Sequence, residues 1–291
     1  MFRSFFKKYS SDYQRFTGTY ELVKGQAIHQ VNKYRRLQEE MMKTQPDNIA
    51  LYGSKIYSQT DEDGIIEEIF NRIPHNKSFF EIGIQTGVEC NTLYLLLKKW
   101  KGIWIEGNKE DCATIKKDLN GNSFPNKLNI INSFITKENI ADHFRKAHEF
   151  LGVSEIDFFS LDIDGNDYYI MEEILKQNIF PKVICVEYNA KFAPPIKMKI
   201  KYNKEQVWDY SDYIGCSLQT YVDLFQRYNY TLVCCNLTGI NAFFVKNEFV
   251  KLFTVYSAEE LYQPYRFYLS PIVLPQKPSL KYLRDLLEEL K

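Results

Sequence analysis

Ser78-Phe79-Phe80-Glu81-Ile82-Gly83-Ile84-Gln85-Thr86-Gly87 is a short apolar run that ends in an acid and two glycines. Phe79–Ile84 reads as a strand, and Gly83 and Gly87 permit the tight turn that must follow it. Outward from this stretch the chain alternates. A helix over Glu89–Trp100 leads to a strand at Gly102–Glu106, a helix through Lys117, a strand at Leu128–Ile135 and a helix over Lys137–Phe150. A strand at Ile156–Ile163, a helix at Asp167–Lys176 and a strand at Val183–Tyr188 complete the series. Near-continuous apolar strands are those covered on both faces, so the pattern predicts an open α/β sheet, mostly parallel, with helices on both sides. A helix near Ser217–Tyr228 then precedes Tyr230–Asn236 and Ala242–Lys246, joined by a short loop with Thr238-Gly239, which predicts a terminal β-hairpin.

The flanks read differently. Residues 18–45 carry Leu22, Ile28, Val31, Tyr34, Leu37 and Met41 at helical spacing, and Pro46-Asp47 break the run. A second helix starts near Thr60, whose hydroxyl is placed to cap the amides of Glu62 and Asp63. At the far end Pro278-Ser279 opens an amphipathic helix with Leu280, Leu283, Leu287 and Leu290 on one face, suited to docking on its own core or to a contact between copies. The expected organisation is a helical N-terminal extension over 1–55, a main domain over 56–250 and a C-terminal tail and helix over 251–291.

Composition narrows the class. The 291 residues are 45% hydrophobic and 25% charged with zero formal net charge, which gives no bulk attraction to nucleic acid. The exception is local: Arg3, Lys7, Lys8, Arg15, Lys24, Lys33, Arg35 and Arg36 face only Asp12 and Glu21 in the first 36 residues, with Phe2, Phe5 and Phe6 interleaved. Such a segment is either a solvated helical extension or a peripheral contact with an anionic membrane. No apolar run is long enough to span a bilayer, and none has the form of a secretory signal. Cys90, Cys112, Cys185, Cys216, Cys234 and Cys235 form no C-x-x-C pair and have no histidine at zinc-finger spacing. They read as reduced, structural thiols of a cytoplasmic protein.

Ligands of open α/β sheets bind outside the carboxyl ends of the strands. Glu81 ends the first strand in a buried position, where an unpaired charge is costly, so a cationic ligand would account for it. The ammonium and sulfonium of S-adenosylmethionine are such cations. Glu106, before Gly107 at the end of the second strand, is placed to accept hydrogen bonds from both hydroxyls of a ribose. NAD is the competing dinucleotide, but its G-x-G-x-x-G turn aims amides at a pyrophosphate, whereas here an acid stands before G-x-x-x-G.

With these residues in view, the segment resembles the class I S-adenosylmethionine-dependent methyltransferases, in particular the FkbM-like group, whose first motif is acid-x-Gly-x-Asn-x-Gly. Gln85 stands where that group has Asn and where the wider superfamily has a middle Gly. Ser58-Gln59-Thr60-Asp61-Glu62-Asp63-Gly64, Leu161-Asp162-Ile163-Asp164-Gly165-Asn166-Asp167, Val186-Glu187-Tyr188-Asn189 and Gly239-Ile240-Asn241-Ala242-Phe243-Phe244 look like further motifs of the same set. The match covers about residues 56–247. It implies a Rossmann-like seven-stranded sheet with an antiparallel last strand, S-adenosylmethionine as cofactor, and a place in capsule or surface-polysaccharide synthesis. It also suggests that Gln59 and Asp63 lie near the cofactor.

The expected cofactor residues are Gln59, Glu81, Gly83, Gly87, Glu106, Ser133 and Asp162; Asn132 and Ser133 are placed to bond either the adenine or a neighbouring loop. Asp162 and Glu187 are the catalytic candidates, because neighbouring carboxylates raise one another's pKa and suit a general base. A divalent cation on Asp162, Glu187 and Asn189 would serve as well, by acidifying an acceptor hydroxyl. Asp164 and Asn166 offer the alternative of capping the next helix. Asp164, Tyr188, Asn189, Lys191, Trp208 and Asn241 are the expected acceptor contacts. The segment 190–216, with Lys191, Lys197, Lys199, Lys201 and Lys204 beside Tyr202, Trp208, Tyr210 and Tyr213, is a candidate lid for an anionic or nucleotide-linked sugar. The four histidines, His29, His75, His143 and His148, read as surface residues. An oligomer is left open. The rival reading is a non-catalytic protein of methyltransferase fold that serves as a binding scaffold.

Overall fold

The computed structural model describes residues 25, 26, 28–121, 123, 124, 127–269 and 278–289. Helix α1 covers 28–44. Residues 18–24 and 27 of the expected 18–45 helix, and the basic stretch before it, lie outside the described residues, as does Leu290. Tyr34, Leu37 and Met41, three and four residues apart, turn one side of α1 onto the core.

The sheet elements follow the expected alternation: α2 (Glu62–Arg72), β1 (Ser78–Ile82), α3 (Leu93–Leu97), β2 (Lys101–Glu106), α4 (Lys109–Asp118), β3 (Ser123–Phe124), β4 (Leu128–Asn132), α5 (Ile140–Leu151), β5 (Phe158–Leu161), α6 (Asp167–Lys176) and β6 (Val183–Glu187). Then come α7 (Leu218–Gln226), β7 (Tyr230–Cys235), β8 (Asn241–Lys246), α8 (Ala258–Leu261) and α9 (Lys281–Glu289). The strands lie in the order β3-β4-β2-β1-β5-β6-β8-β7. Apart from the two-residue edge strand β3, these are seven strands, and β8, the last, runs antiparallel to both of its neighbours. This is the Rossmann-like methyltransferase fold.

Successive strand residues point to opposite faces, and each face has its own core. Phe79, Trp104, Phe158, Cys185 and Phe243 join the layer covered by α2, α3, α4 and α9. Phe80, Ile105, Phe159, Ile184 and Phe244 join the layer covered by α5, α6, α7 and α8. Leu280, Leu283 and Leu287 bury the apolar stripe of α9 in the first layer, so this helix docks on its own chain. All six cysteines are free and buried.

Two local expectations fail. Thr60 does not cap α2: its hydroxyl bonds Glu62 Oε1 at 2.6 Å, and the Ser58 hydroxyl accepts the Asp63 amide at 3.2 Å. The helix expected over Glu89–Trp100 is only Leu93–Leu97, because the chain from Gly83 to Thr92 is wound round the tip of β1 instead.

That winding depends on Gly83. Its φ is +86°, and a Cβ there would stand 1.6 Å from the carbonyl oxygen of Asp162. The tips of β1 and β5 are therefore in backbone contact, which no side chain permits. Gly83→Ala is expected to lower stability by about 3 kcal/mol from overpacking and left-handed strain together. Urea unfolding reads this, and an unshifted midpoint would show that the two strand tips can separate freely.

Candidate active site

Glu81 is buried at the end of β1 without a cation beside it among the described residues. Its Oε1 accepts the Asn91 amide at 2.8 Å, and its Oε2 accepts the Thr92 amide at 3.0 Å and the Thr92 hydroxyl. Trp104 Nε1 donates to that hydroxyl at 2.7 Å, and Asn91 Nδ2 reaches Ser160 Oγ at 3.0 Å on the neighbouring strand β5. Backbone amides thus compensate the charge, and no ligand ammonium is needed to explain its burial. Desolvation still pushes the Glu81 carboxyl up to about 7. Gly87, expected at the cofactor, instead gives room to Trp104: a Cβ there would meet the indole at 3.1 Å, and the residue lines neither cavity described below.

Glu106 has the same kind of support. Its Oε2 accepts the Gln85 amide and its Oε1 the Asn108 amide, both at 2.7 Å. Gln85 holds φ +49°, the left-handed conformation that a glycine would adopt most readily at this place in the turn. Glu106, Gly107, Asn108, Ser133 and Phe134 line a cavity of about 200 Å³. Asn132 does not: its amide is turned onto the carbonyls of Glu106 and Gly107. Ser133 Oγ lies 3.0 Å from Nε2 of His143 in α5, so this histidine is half-buried behind the cavity wall. His75 is packed as well, stacked on Trp100 at a centroid distance of 4.8 Å. Sequence spacing carried no sign of either contact.

A larger cavity of about 710 Å³ adjoins the first and shares Gly83, Gln85, Asp162 and Asp164 with it. Gln59, Glu81, Tyr188, Asn189, Lys191, Trp208 and Asn241 line it, together with Asp162, Asp164 and Glu187. Carboxylate oxygens of those three acids lie within 4.8 Å of one another. Unlike Glu81 and Glu106, they face each other: Asp162 takes the Asp164 amide and hydrogen-bonds Glu187. Burial first, and then the neighbouring charges, hold the Asp162 and Glu187 carboxyls well above the usual range. The donor set of three clustered carboxylates fits a hard divalent cation.

Asn189 lines the same cavity; its amide donates to the carbonyls of Asp212 and Ile214 and its Oδ1 accepts the Lys191 amide, so it also latches the loop. Neither Asp164 nor Asn166 caps α6 through its side chain. Asp167 accepts the amides of Ile163 and Gly165, both at 2.9 Å, and Asn166 holds the carbonyl of Asn203. Asp63 is likewise spent on backbone: its Oδ2 takes the amides of Ile56, Tyr57 and Ser58, and it does not line the cavity, whereas Gln59 does.

Behind the larger cavity lies a buried polar network invisible in the sequence. Asn241, opposite Glu187 across the β6–β8 pair, donates to Glu62 Oε1 at 2.9 Å. Asp61 accepts from Leu237 N, Thr60, Asn236 and Thr238, and from the Tyr34 hydroxyl of α1 at 2.8 Å. Desolvation, with Glu62 next, lifts Asp61 to about 6. The network joins the N-terminal helix to the cavity wall.

The 190–216 segment meets both cavities, through Gln206 at the smaller and Trp208 and Tyr210 at the larger. Its lysines are less available than expected. Lys191 pairs with Asp212, Lys197 with Asp223 at 2.5 Å, and Lys199 sits 3.8 Å above the Tyr168 ring.

No protein-family model matches the chain, and no curated protein matches it in sequence. Solved structures similar to it include the glycopeptide N-methyltransferase MtfA complexed with S-adenosylmethionine, 9% identical, with a TM-score of 0.36 over 66% of this chain and 96% of that one. An O-methyltransferase from Bacillus cereus in complex with S-adenosylhomocysteine is 12% identical, with a TM-score of 0.38 over 75% of this chain and 91% of that one. A conserved hypothetical protein of Streptococcus pyogenes is 10% identical, with a TM-score of 0.39 over 63% and 94%. Each is a distant likeness of architecture.

Buried acids set a pH dependence. Glu81 at about 7, and Asp61 and Asp167 at about 6, all titrate above their values in the unfolded chain, which are about 4. The folded state then holds more protons between about pH 4 and 7, so these groups make it less stable as pH rises through that window. Glu81→Gln is expected to flatten the fall in unfolding free energy between pH 5 and 8, whatever its effect at pH 5. An unchanged slope would mean that Glu81 ionises normally.

Proposed function

We propose that the chain is an S-adenosylmethionine-dependent methyltransferase that methylates a hydroxyl of a small, sugar-like acceptor. The observation that carries this reading is the pair of adjoining cavities at the carboxyl ends of the strands. The smaller holds a carboxylate suited to a ribose, and the larger a cluster of carboxylates facing open space across the shared wall of Gly83, Gln85, Asp162 and Asp164. In this reading the adenosine lies along the smaller cavity, with Glu106 on the ribose and Ser133 and Phe134 near the base. Gln59, Glu81 and Asp162 border the methionine part.

Methyl transfer needs an oxygen aligned behind the S–CH3 bond and a destination for its proton. As oxygen attacks carbon, the C–S bond breaks, S-adenosylhomocysteine leaves, and the hydroxyl proton passes to a carboxylate. Glu187 is the base in this scheme, because its carboxylate lines the larger cavity beside Asp162 and Asp164. A divalent cation on Asp162, Asp164 and Glu187 would instead acidify the hydroxyl. Tyr188 and Asn241 complete the inner wall. Trp208 and Tyr210, ring centroids 4.8 Å apart, offer a stacking surface for a sugar ring at the mouth. With Lys191 paired to Asp212, the wall favours an uncharged acceptor over a phosphorylated one. A role in surface-glycan synthesis draws on the FkbM-like resemblance.

Calorimetry with S-adenosylhomocysteine tests the cofactor reading. Micromolar binding is expected, and Glu106→Ala should weaken it at least tenfold, in line with the roughly 1.5–3 kcal/mol of a hydrogen bond to a charged group. No binding at millimolar ligand would favour the scaffold reading.

Release of S-adenosylhomocysteine in the presence of methyl glycosides and nucleotide sugars tests the chemistry. Glu187→Gln should cut turnover about 10³-fold, within the range of a lost general base, and leave cofactor affinity unchanged. Full turnover in that variant would remove Glu187 from the reaction.

A further inference from the structure

We propose that the acceptor carries a protonated amine, as an amino sugar does, and that the larger cavity holds its ammonium on Asn241 and the acids beside it. This rests on the reading of that cavity as the acceptor site. Asn241 is only 4% exposed, yet it lines the cavity. Its Nδ2 donates to Glu62 Oε1 at 2.9 Å. The same carboxyl oxygen takes Asn236 Nδ2 at 2.8 Å and the Thr60 hydroxyl at 2.6 Å, so it acts as an acceptor and fixes which way the Asn241 amide is turned. The other end of that amide, Oδ1, accepts no hydrogen bond among the described residues. A polar atom on a buried side chain calls for a partner. Because Asn241 lines the cavity, the missing donor has to come from what fills it.

The surroundings of that oxygen are acceptors too. Asn241 is the direct partner of Glu187 in the β6–β8 pair, and carboxylate oxygens of Glu187, Asp162 and Asp164 lie within 4.8 Å of one another. These acids form no ion pair with a lysine or arginine among the described residues. Other charges of the wall are already matched: Glu89 by Lys55 at 3.1 Å, Asp212 by Lys191, and Glu81 by two backbone amides. The balance that disfavours a phosphate thus favours the opposite sign. An ammonium brings several N–H donors and a positive charge, which meets both demands. In the reading above, Gln59, Glu81 and Asp162 border the methionine part. That leaves Asn241 and Asp164 for the amine, and Glu187 for a hydroxyl on a neighbouring carbon. At the mouth the exposed rings of Trp208, Tyr210 and Tyr265 add faces that attract cations. A metal ion would satisfy the acids as well, but a cavity of about 710 Å³ has the size of an organic ligand's site.

Trp100 and Trp104 are buried, so a change in tryptophan emission on titration reports Trp208 at the cavity mouth. The full chain, with and without S-adenosylhomocysteine, is titrated at about pH 6, below the range of a free amine. The probes are the methyl glycosides of glucosamine and galactosamine, their N-acetyl forms, and methyl glucoside and galactoside. At least one amine is expected to bind about tenfold more tightly than its N-acetyl and hydroxyl counterparts, the scale of a hydrogen bond to a charged group. Asn241→Leu, and separately the isosteric Asp164→Asn, should each cut that preference about threefold or more while circular dichroism stays unchanged. Equal binding of amine and N-acetyl forms, no binding of any probe, or a preference that survives either substitution overturns the proposal. So does a cavity that takes magnesium, read by calorimetry, and no amine. Failure of the cofactor reading shows separately, as absence of S-adenosylhomocysteine binding to the unchanged chain.

Discussion

Carboxylates crowd the carboxyl ends of the parallel strands, and none of Glu81, Glu106, Asp162 or Glu187 is paired with a lysine or arginine among the described residues. Keeping these charges in a half-dry place is the constraint around which that end of the molecule is built. Two solutions appear. Glu81 and Glu106 are wrapped by backbone amides, so that each acid fixes a turn: Glu81 the entry to α3, Glu106 the Gln85 turn and the start of α4. Asp162, Asp164 and Glu187 are gathered instead against one another, with carboxylate oxygens within 4.8 Å. The first pair holds the turns in place; the second set lines the larger cavity.

The close approach at Gly83 connects the two. Because β1 and β5 touch through backbone at their tips, the loop that Glu81 and Glu106 organise also forms the wall on which Asp162 and Asp164 stand. The buried network of Asp61, Glu62, Asn236 and Asn241 closes the opposite side and ties it to α1 through Tyr34. The N-terminal helix is thus part of the support of the site.

Much of this was legible in the sequence, and for a physical reason. Buried parallel strands are apolar runs with abrupt ends, so the acids that close them mark the strand tips, and with them the site. Glu81, Glu106, Asp162 and Glu187 were readable in that way. The partner of each acid was not, because it comes from a loop amide or from a strand distant in sequence. Hence Glu81 looked as though it needed a cationic ligand, when Asn91 and Thr92 already serve it. The loop contacts of Asn189, through both its amide and its oxygen, were hidden in the same way. Gly87 looked like a cofactor glycine, whereas the indole of Trp104 fills the space beside it. Ion pairs across a loop, such as Lys191 with Asp212, are equally hidden from spacing.

The most direct test of the account is a crystal structure with S-adenosylhomocysteine bound. The ribose hydroxyls should lie on Glu106 in the smaller cavity, with the thioether sulfur at the shared wall and turned toward Asp162 and Glu187. A ligand seated elsewhere, or one whose sulfur points away from those two carboxylates, would contradict it.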